Sequence, residues 1–243
     1  MIKAKSLPKS SLYLQTEASD PSDQAVAVYH LSHDLRGPLN SILGFSDLLL
    51  EGVEGPLNEV QLEDIAAIRQ SALNLLDLIN VVVDLSKISA NKLSLNWSQV
   101  PLERLAQQVT EHDLGEGRRV SWANRQTLPT MQGDYERIEQ ILLILARFLF
   151  EHKAGQVQLE VEPDGAEINL KLTAPGVVLD KQTIAELPNL SIVTDGNGRS
   201  KLSAGGVRVP LAYQLAKQHR GQIWVESQPD SGATFCLRLP VSQ

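Results

Sequence analysis

The first third of the chain carries two long stretches in which apolar positions return every three and four residues. From Asp23 to about Gly52 the stripe runs through Val28, Leu31, Leu35, Ile42, Phe45 and Leu49, a heptad spacing that gives one helix a single buried face. Gly52, Gly55 and Pro56 then interrupt the pattern, because glycine and proline punctuate helices. A second stripe of the same spacing follows at Ile65, Ile68, Ala72, Leu75, Ile79 and Val82. Two such helices joined by a short loop predict an antiparallel hairpin. A lone hairpin buries one stripe per helix and leaves its flanks wet, so the pattern predicts a homodimer in which two hairpins form a four-helix bundle.

After Asn96 the periodicity changes to that of an α+β layer. Strand-like alternation at Arg119 to Asn124, Gln156 to Glu162, Ala166 to Thr173, Gln222 to Ser227 and Thr234 to Leu239 is interleaved with helical patterns at Asp134 to His152 and Val207 to Gln218. Pro163-Asp164-Gly165 and Asp230-Ser231-Gly232 read as hairpin turns. The expected organisation is a flexible tail over 1–22, a helical hairpin over 23–96 and an α+β unit over 97–243, with helices on one face of a mixed sheet.

Composition narrows the partners. A net charge of −7 repels nucleic acid and anionic surfaces. The single Cys236 has no second cysteine for an internal disulfide or a thiolate metal site. With no run of about 20 uninterrupted apolar residues and no apolar leader in MIKAKSLPKS, no membrane span is predicted and the expected location is the cytoplasm.

Candidate chemistry sits in the first helix. With Val28 at position a and Leu31 at d, His33 falls at f, pointing away from the bundle core. An exposed helix histidine is ordinarily just solvated. Its neighbours Ser32-His33-Asp34-Leu35-Arg36-Gly37-Pro38-Leu39-Asn40 change that reading. A carboxylate beside an imidazole can hold one ring nitrogen protonated and leave the other to attack phosphorus. Pro38 removes a backbone bond to the carbonyl of Asp34 and bends the helix one turn past His33, which a purely structural helix would not need.

The run from Tyr29 to Gly52 resembles the H-box of two-component sensor histidine kinases, and Ile68 to Leu95 resembles the second helix of their dimerisation and phosphotransfer domain. The resemblance implies that His33 accepts a phosphoryl group and passes it to an aspartate of a response regulator receiver domain, assisted by Asp34. The family usually has Thr or Asn where this chain has Gly37, the residue that positions water for dephosphorylation.

The order of elements from Asp134 to Gln243 is similar to the family's ATP-binding domain, and His219 to Ser227 with Ser231 to Phe235 is similar to its last hairpin. The nucleotide motifs are degenerate. Ile144 and Phe148 stand where the resemblance expects two asparagines, the second the usual magnesium ligand. Magnesium takes oxygen ligands, which these residues lack. Leu172 replaces the aspartate that meets the adenine amine, and Ala174 replaces the first glycine of that box, while Gly176 survives. In the second glycine box Gly206 is kept and Arg208 replaces a small residue. Losing one buried acceptor costs about 1–3 kcal/mol, and each ~1.4 kcal/mol is tenfold in affinity. Asp195 to Gly206 reads as a lid or a surface loop. No metal site and no cofactor are expected, and whether the chain is an enzyme stays open.

Three functions fit. The first is a pseudokinase in which His33 is a phosphorelay or docking point for a response regulator or a partner histidine kinase. The second is an active autophosphorylating kinase that uses ATP and magnesium. The third is a dimeric scaffold without phosphate chemistry. The first predicts that Ile144, Phe148 and Leu172 pack together and close the ATP-type pocket, since burying each large side chain is worth roughly 1.5–3 kcal/mol over exposing it.

Overall fold

The computed structural model describes residues 21–53, 55–115, 117–123, 128–190, 192–194, 200–202 and 206–242. The expected tail over 1–22 lies outside them except for its last two residues, which open the first helix. Helix α1 (Pro21–Leu50) runs unbroken through Pro38 and packs against α2 (Glu59–Ser89). Gly52 and Gly55 turn the chain with positive φ, which glycine adopts without steric cost. Asn58 then starts α2 with a capping box: its side chain accepts from the Gln61 N–H at 2.9 Å, while the Gln61 side chain accepts from the Asn58 N–H at 3.0 Å. Arg36 donates to Asn80 at 2.8 Å and Arg69 pairs with Asp47 at 2.6 Å. As one partner advances along α1 the other retreats along α2, so the hairpin is antiparallel.

The seam inside the hairpin differs from the predicted stripe. Buried positions on α1 are Ala25, Ser32, Leu39 and Ser46, seven residues apart, and they face a seam containing Ala72 and Ile79. The serines are satisfied locally, Ser32 donating to the Tyr29 carbonyl at 2.6 Å and Ser46 to that of Ile42 at 2.7 Å. Small residues let the two helices approach closely. The larger apolar residues Leu31, Leu35, Ile42, Phe45, Ile68, Leu75 and Val82 are exposed on the single chain. By length and composition α2 could also cross a membrane, with a window of mean hydropathy 1.3. Here it packs against α1 and α6 and carries Asp77 and Asp84 in ion pairs.

The second unit begins with β1 (Ser98–Pro101), α3 (Leu102–Glu111), β2 (Val120–Trp122) and β3 (Thr130–Gly133). It continues through α4 (Tyr135–Glu151), β4 (Val157–Asp164), β5 (Glu167–Ala174), α5 (Lys181–Glu186), β6 (Ile192–Thr194) and β7 (Ser200–Leu202). It ends with α6 (Arg208–Gln218), β8 (Gln222–Gln228) and β9 (Gly232–Pro240). The main sheet has the order β2-β4-β5-β9-β8, with β2 parallel to β4 and every other pair antiparallel. All five strand-like runs lie in it. Val157, Leu159 and Val161 are buried while Gln158, Glu160 and Glu162 between them are not, so β4 presents one covered face and one wet face. Helices α3, α4 and α6 pack together with this sheet in one core. The α3 helix, the short β1–β3 ladder, α5 and the β6–β7 pair are additions to the sequence reading.

A buried polar cluster inside the α+β unit anchors the segment that leads in from the hairpin. His219, 1% exposed, accepts the Asp134 N–H on Nε2 at 3.2 Å and meets the Leu215 carbonyl through Nδ1 at 2.8 Å. These partners require a neutral ring protonated on Nδ1. Asp134 caps α4 by accepting from the Arg137 N–H at 3.2 Å and holds the connecting segment by accepting from the Asn96 N–H at 2.8 Å. Burial pushes the His219 pKa below its ordinary value of 6.5. The unfolded chain therefore binds a proton below that pH which the native chain refuses. Stability is full above about pH 6.5 and falls as pH drops through it. In urea titrations at about pH 7.5 and 5.5, His219→Gln should show a smaller acid-side loss than the parent chain. Identical losses in both would show that another group controls the acid limb.

Candidate phosphoacceptor and nucleotide-type sites

His33 stands on α1 in open solvent, its side chain 78% exposed, beside an equally open Asp34. Its Nδ1 lies 3.5 Å from the Asp34 carboxylate. That is too long for a good hydrogen bond, and it sets the carboxylate on the Nδ1 side of the ring, with Nε2 on the other side. Arg36, one turn on, is tied to Asn80 of α2, so the helix surface beside His33 is held by the hairpin rather than left to fray. A Cβ added at Gly37 would meet nothing within 4 Å, so the position usually held by Thr or Asn is sterically open.

The nucleotide-type motifs are in a different environment. Helix α4 places Ile144 and Phe148 one turn apart, with Ile144 9% and Phe148 3% exposed. The Phe148 ring meets Phe235 edge to face with centroids 5.6 Å apart, and lies 4.0 Å from the His152 ring. Phe235 on β9 is paired in register with Leu172 on β5, and both are fully buried. The three apolar replacements thus belong to the one core of the α+β unit. Phe235 and His152 were not anticipated. Phe235 becomes evident only once β5 and β9 are adjacent, whereas His152 follows Phe148 at i+4 spacing and was open to notice.

Gly176 and Gly206 have positive φ of 80° and 55°, and a Cβ at either would meet nothing within 4 Å. Their conformations suit turns. Most of the loop from Asp195 to Gly206 lies outside the described residues. Arg208, at the second glycine box, ion-pairs with Asp77 of α2 at 2.8 Å. A second bridge joins Arg137 of α4 to Asp84 of α2 through two hydrogen bonds, 2.6 and 3.2 Å. Both arginines therefore bind the α+β unit to the hairpin. Asp84, a charge at a buried position of an apolar helix, was the signal available in the sequence.

A magnesium nucleotide does not fit these residues. Phe148 and Ile144 offer no oxygen where the metal would need one, and Leu172 offers no acceptor. Among the described residues no group of three or more His, Cys, Asp or Glu could hold a metal ion.

Comparison with known proteins gives the lineage. Residues 24–91, which include His33, match the His Kinase A (phospho-acceptor) domain. Residues 133–243 match the histidine kinase-, DNA gyrase B- and HSP90-like ATPase. The circadian input-output histidine kinase CikA of Synechococcus elongatus is 32% identical over 86% of the chain, and the non-motile and phage-resistance protein of Caulobacter vibrioides is 30% identical over 87%. The chain spans only 29% and 26% of their lengths. Among solved structures, full-length ShkA in complex with AMPPNP superposes with a TM-score of 0.66 at 26% identity, covering 89% of this chain and 46% of ShkA. The Acinetobacter baumannii histidine kinase AdeS, 18% identical with a TM-score of 0.56 over 86% of this chain and 98% of AdeS, shares the fold. With both domains matched in order and the helical hairpin and ATPase-type sheet in place, the chain belongs to the two-component sensor histidine kinase family.

Proposed function

We propose that this chain is a phosphotransfer member of the family whose own ATP-type pocket is closed, so that His33 receives phosphoryl from a partner kinase or receiver domain and passes it to a response regulator. The observation that carries this reading is the contrast between an open His33–Asp34 pair and a buried Phe148–Phe235–Leu172 cluster. Chemically, the Nε2 lone pair attacks phosphorus and an N–P bond forms as the P–O bond to the donor breaks. The Asp34 carboxylate, facing Nδ1, offsets the positive charge that develops on the ring. Transfer to a receiver aspartate reverses this step, with a carboxylate oxygen as nucleophile and His33 as leaving group.

A homodimer completes the reading. Of the apolar residues left exposed on α1 and α2, Ile42, Ile68 and Leu75 line a groove of ≈ 600 Å³ that also includes Asp64 and Ser71. A second hairpin of the same sequence matches it in length and spacing, and the phosphoacceptor match supports that occupant.

Calorimetric titration with ATP and magnesium tests the closed pocket. No heat of binding is expected at micromolar concentrations. Magnesium-dependent micromolar binding would instead favour an autophosphorylating kinase.

A further inference from the structure

The helix face that carries His33 also carries a cation whose charge is not met. Residues three and four apart share a helix face, so His33 is flanked by Tyr29 and His30 on one side and by Arg36 and Gly37 on the other. Gly37 leaves its place without a side chain, and nothing lies within 4 Å of where a Cβ would stand. Arg36 donates through Nη2 to the neutral amide of Asn80. It makes no ion pair among the described residues, and that bond leaves Nε and Nη1 without a protein partner there.

The surroundings do not supply the missing anion. Arg36 borders a cavity of ≈ 400 Å³ between the hairpin and the start of α4, whose carboxylates are Asp77, Asp84 and Glu136 and whose other cations are Lys87 and Arg137. Asp84 is bound by Arg137 and Asp77 by Arg208, so Glu136 alone stands against Arg36 and Lys87. Asp34, the carboxylate nearest in sequence, lies against the His33 ring. A guanidinium held by a neutral amide is positioned without being neutralised.

We propose that Arg36 binds the phosphoryl group once it is on His33. This role rests on His33 being the phosphoacceptor. A phosphoryl group carries roughly 1.5–2 negative charges at neutral pH, and side chains at this spacing start only about 5–6 Å apart. The planar fork of Arg36 matches phosphoryl oxygens in pairs, while Nη2 keeps its bond to Asn80. Gly37 leaves room for the group beside the helix. Arg36 thereby favours the dianionic form and holds it on the surface that a partner meets.

Potassium phosphoramidate tests this on the full chain without a kinase: Nε2 attacks phosphorus, the new N–P bond forms and ammonia leaves. Phosphorus NMR then follows the phosphoryl group through its second ionisation, with His33→Gln identifying the His33 signal. In Arg36→Gln the midpoint should lie higher by roughly 0.3–0.7 pH unit, because the dianion has lost its cation. Arg36→Lys keeps the charge and should restore most of the difference. Lys87→Gln removes a cation from the same cavity, about two turns along α2 from Asn80, and should leave the parent value. Arg36 is partly exposed, so circular dichroism should show the same helicity throughout. Uptake of phosphoryl by Arg36→Lys but not by Arg36→Gln supports the same role. An unchanged midpoint in Arg36→Gln, or an equal shift in Lys87→Gln, overturns it. A parent chain that takes no phosphoryl on His33 overturns the phosphoacceptor reading itself, and this role with it.

Discussion

Replacing Phe148 by asparagine destabilises the protein by about 3–5 kcal/mol and does not create a magnesium-dependent ATP site. Phe148 is 3% exposed and its ring sits edge to face on Phe235, so truncation loses aromatic contact and leaves a cavity. The incoming amide replaces the ring that packs on Phe235 and lies beside His152, and a buried amide without its full set of hydrogen bonds adds to the loss. For a protein of this size each kcal/mol corresponds to ~2–4 °C in melting temperature, so the midpoint should fall by roughly 6–20 °C. Thermal and urea denaturation measure this directly. An asparagine variant as stable as the parent, with ATP binding gained on adding magnesium, would mean that Phe148 lines an open pocket.

Placing aspartate at Phe45 converts the dimer to monomer while the hairpin stays folded. Phe45 is 66% exposed on a single chain, so its charge costs little there, but in a four-helix bundle two carboxylates would be buried without partners, a penalty of several kcal/mol per dimer. Leu75→Asp should act in the same way from α2. Ile79 behaves differently, because it is buried within one hairpin beside Leu39 and Ala72. A charge at Ile79 is expected to unfold the hairpin rather than separate two of them. Sedimentation velocity with circular dichroism distinguishes the cases: a lower mass with retained helicity is expected for Phe45→Asp and Leu75→Asp. A parent chain that sediments as a monomer at micromolar concentration contradicts the bundle.

The hairpin was legible because heptad spacing survives wherever a helix has one apolar side, yet which apolar residues face the partner helix was not. Ala25, Ser32 and Ser46 lie in the intramolecular seam by virtue of being small, a property that a search for large apolar residues passes over. The five-stranded sheet was legible from alternation. Helix α3 is an addition to that reading, although Leu102, Leu105, Ala106 and Val109 recur at helical spacing and are all buried, because its ten residues are too few for the periodicity to stand out. The His33–Asp34 pair is local and could be read from adjacent letters. The clamps of Arg137 on Asp84 and Arg208 on Asp77 join residues 53 and 131 positions apart, and no short-range pattern encodes such pairs. Arg208 shows the consequence: in the sequence it stands in place of a small residue, whereas in the structure its guanidinium pairs with Asp77 of the hairpin.

If His33 takes phosphoryl from a partner and the ATP-type pocket is closed, the chain should not charge itself from ATP. Incubation with labelled ATP and magnesium, alone and with a competent histidine kinase, measures both halves through acid-labile phosphate. The account predicts no label on the chain alone, label when the partner kinase is added, and none in His33→Gln, which should fold normally because the side chain is 78% exposed. Acid-labile phosphate formed by the chain alone and lost in His33→Gln would contradict it.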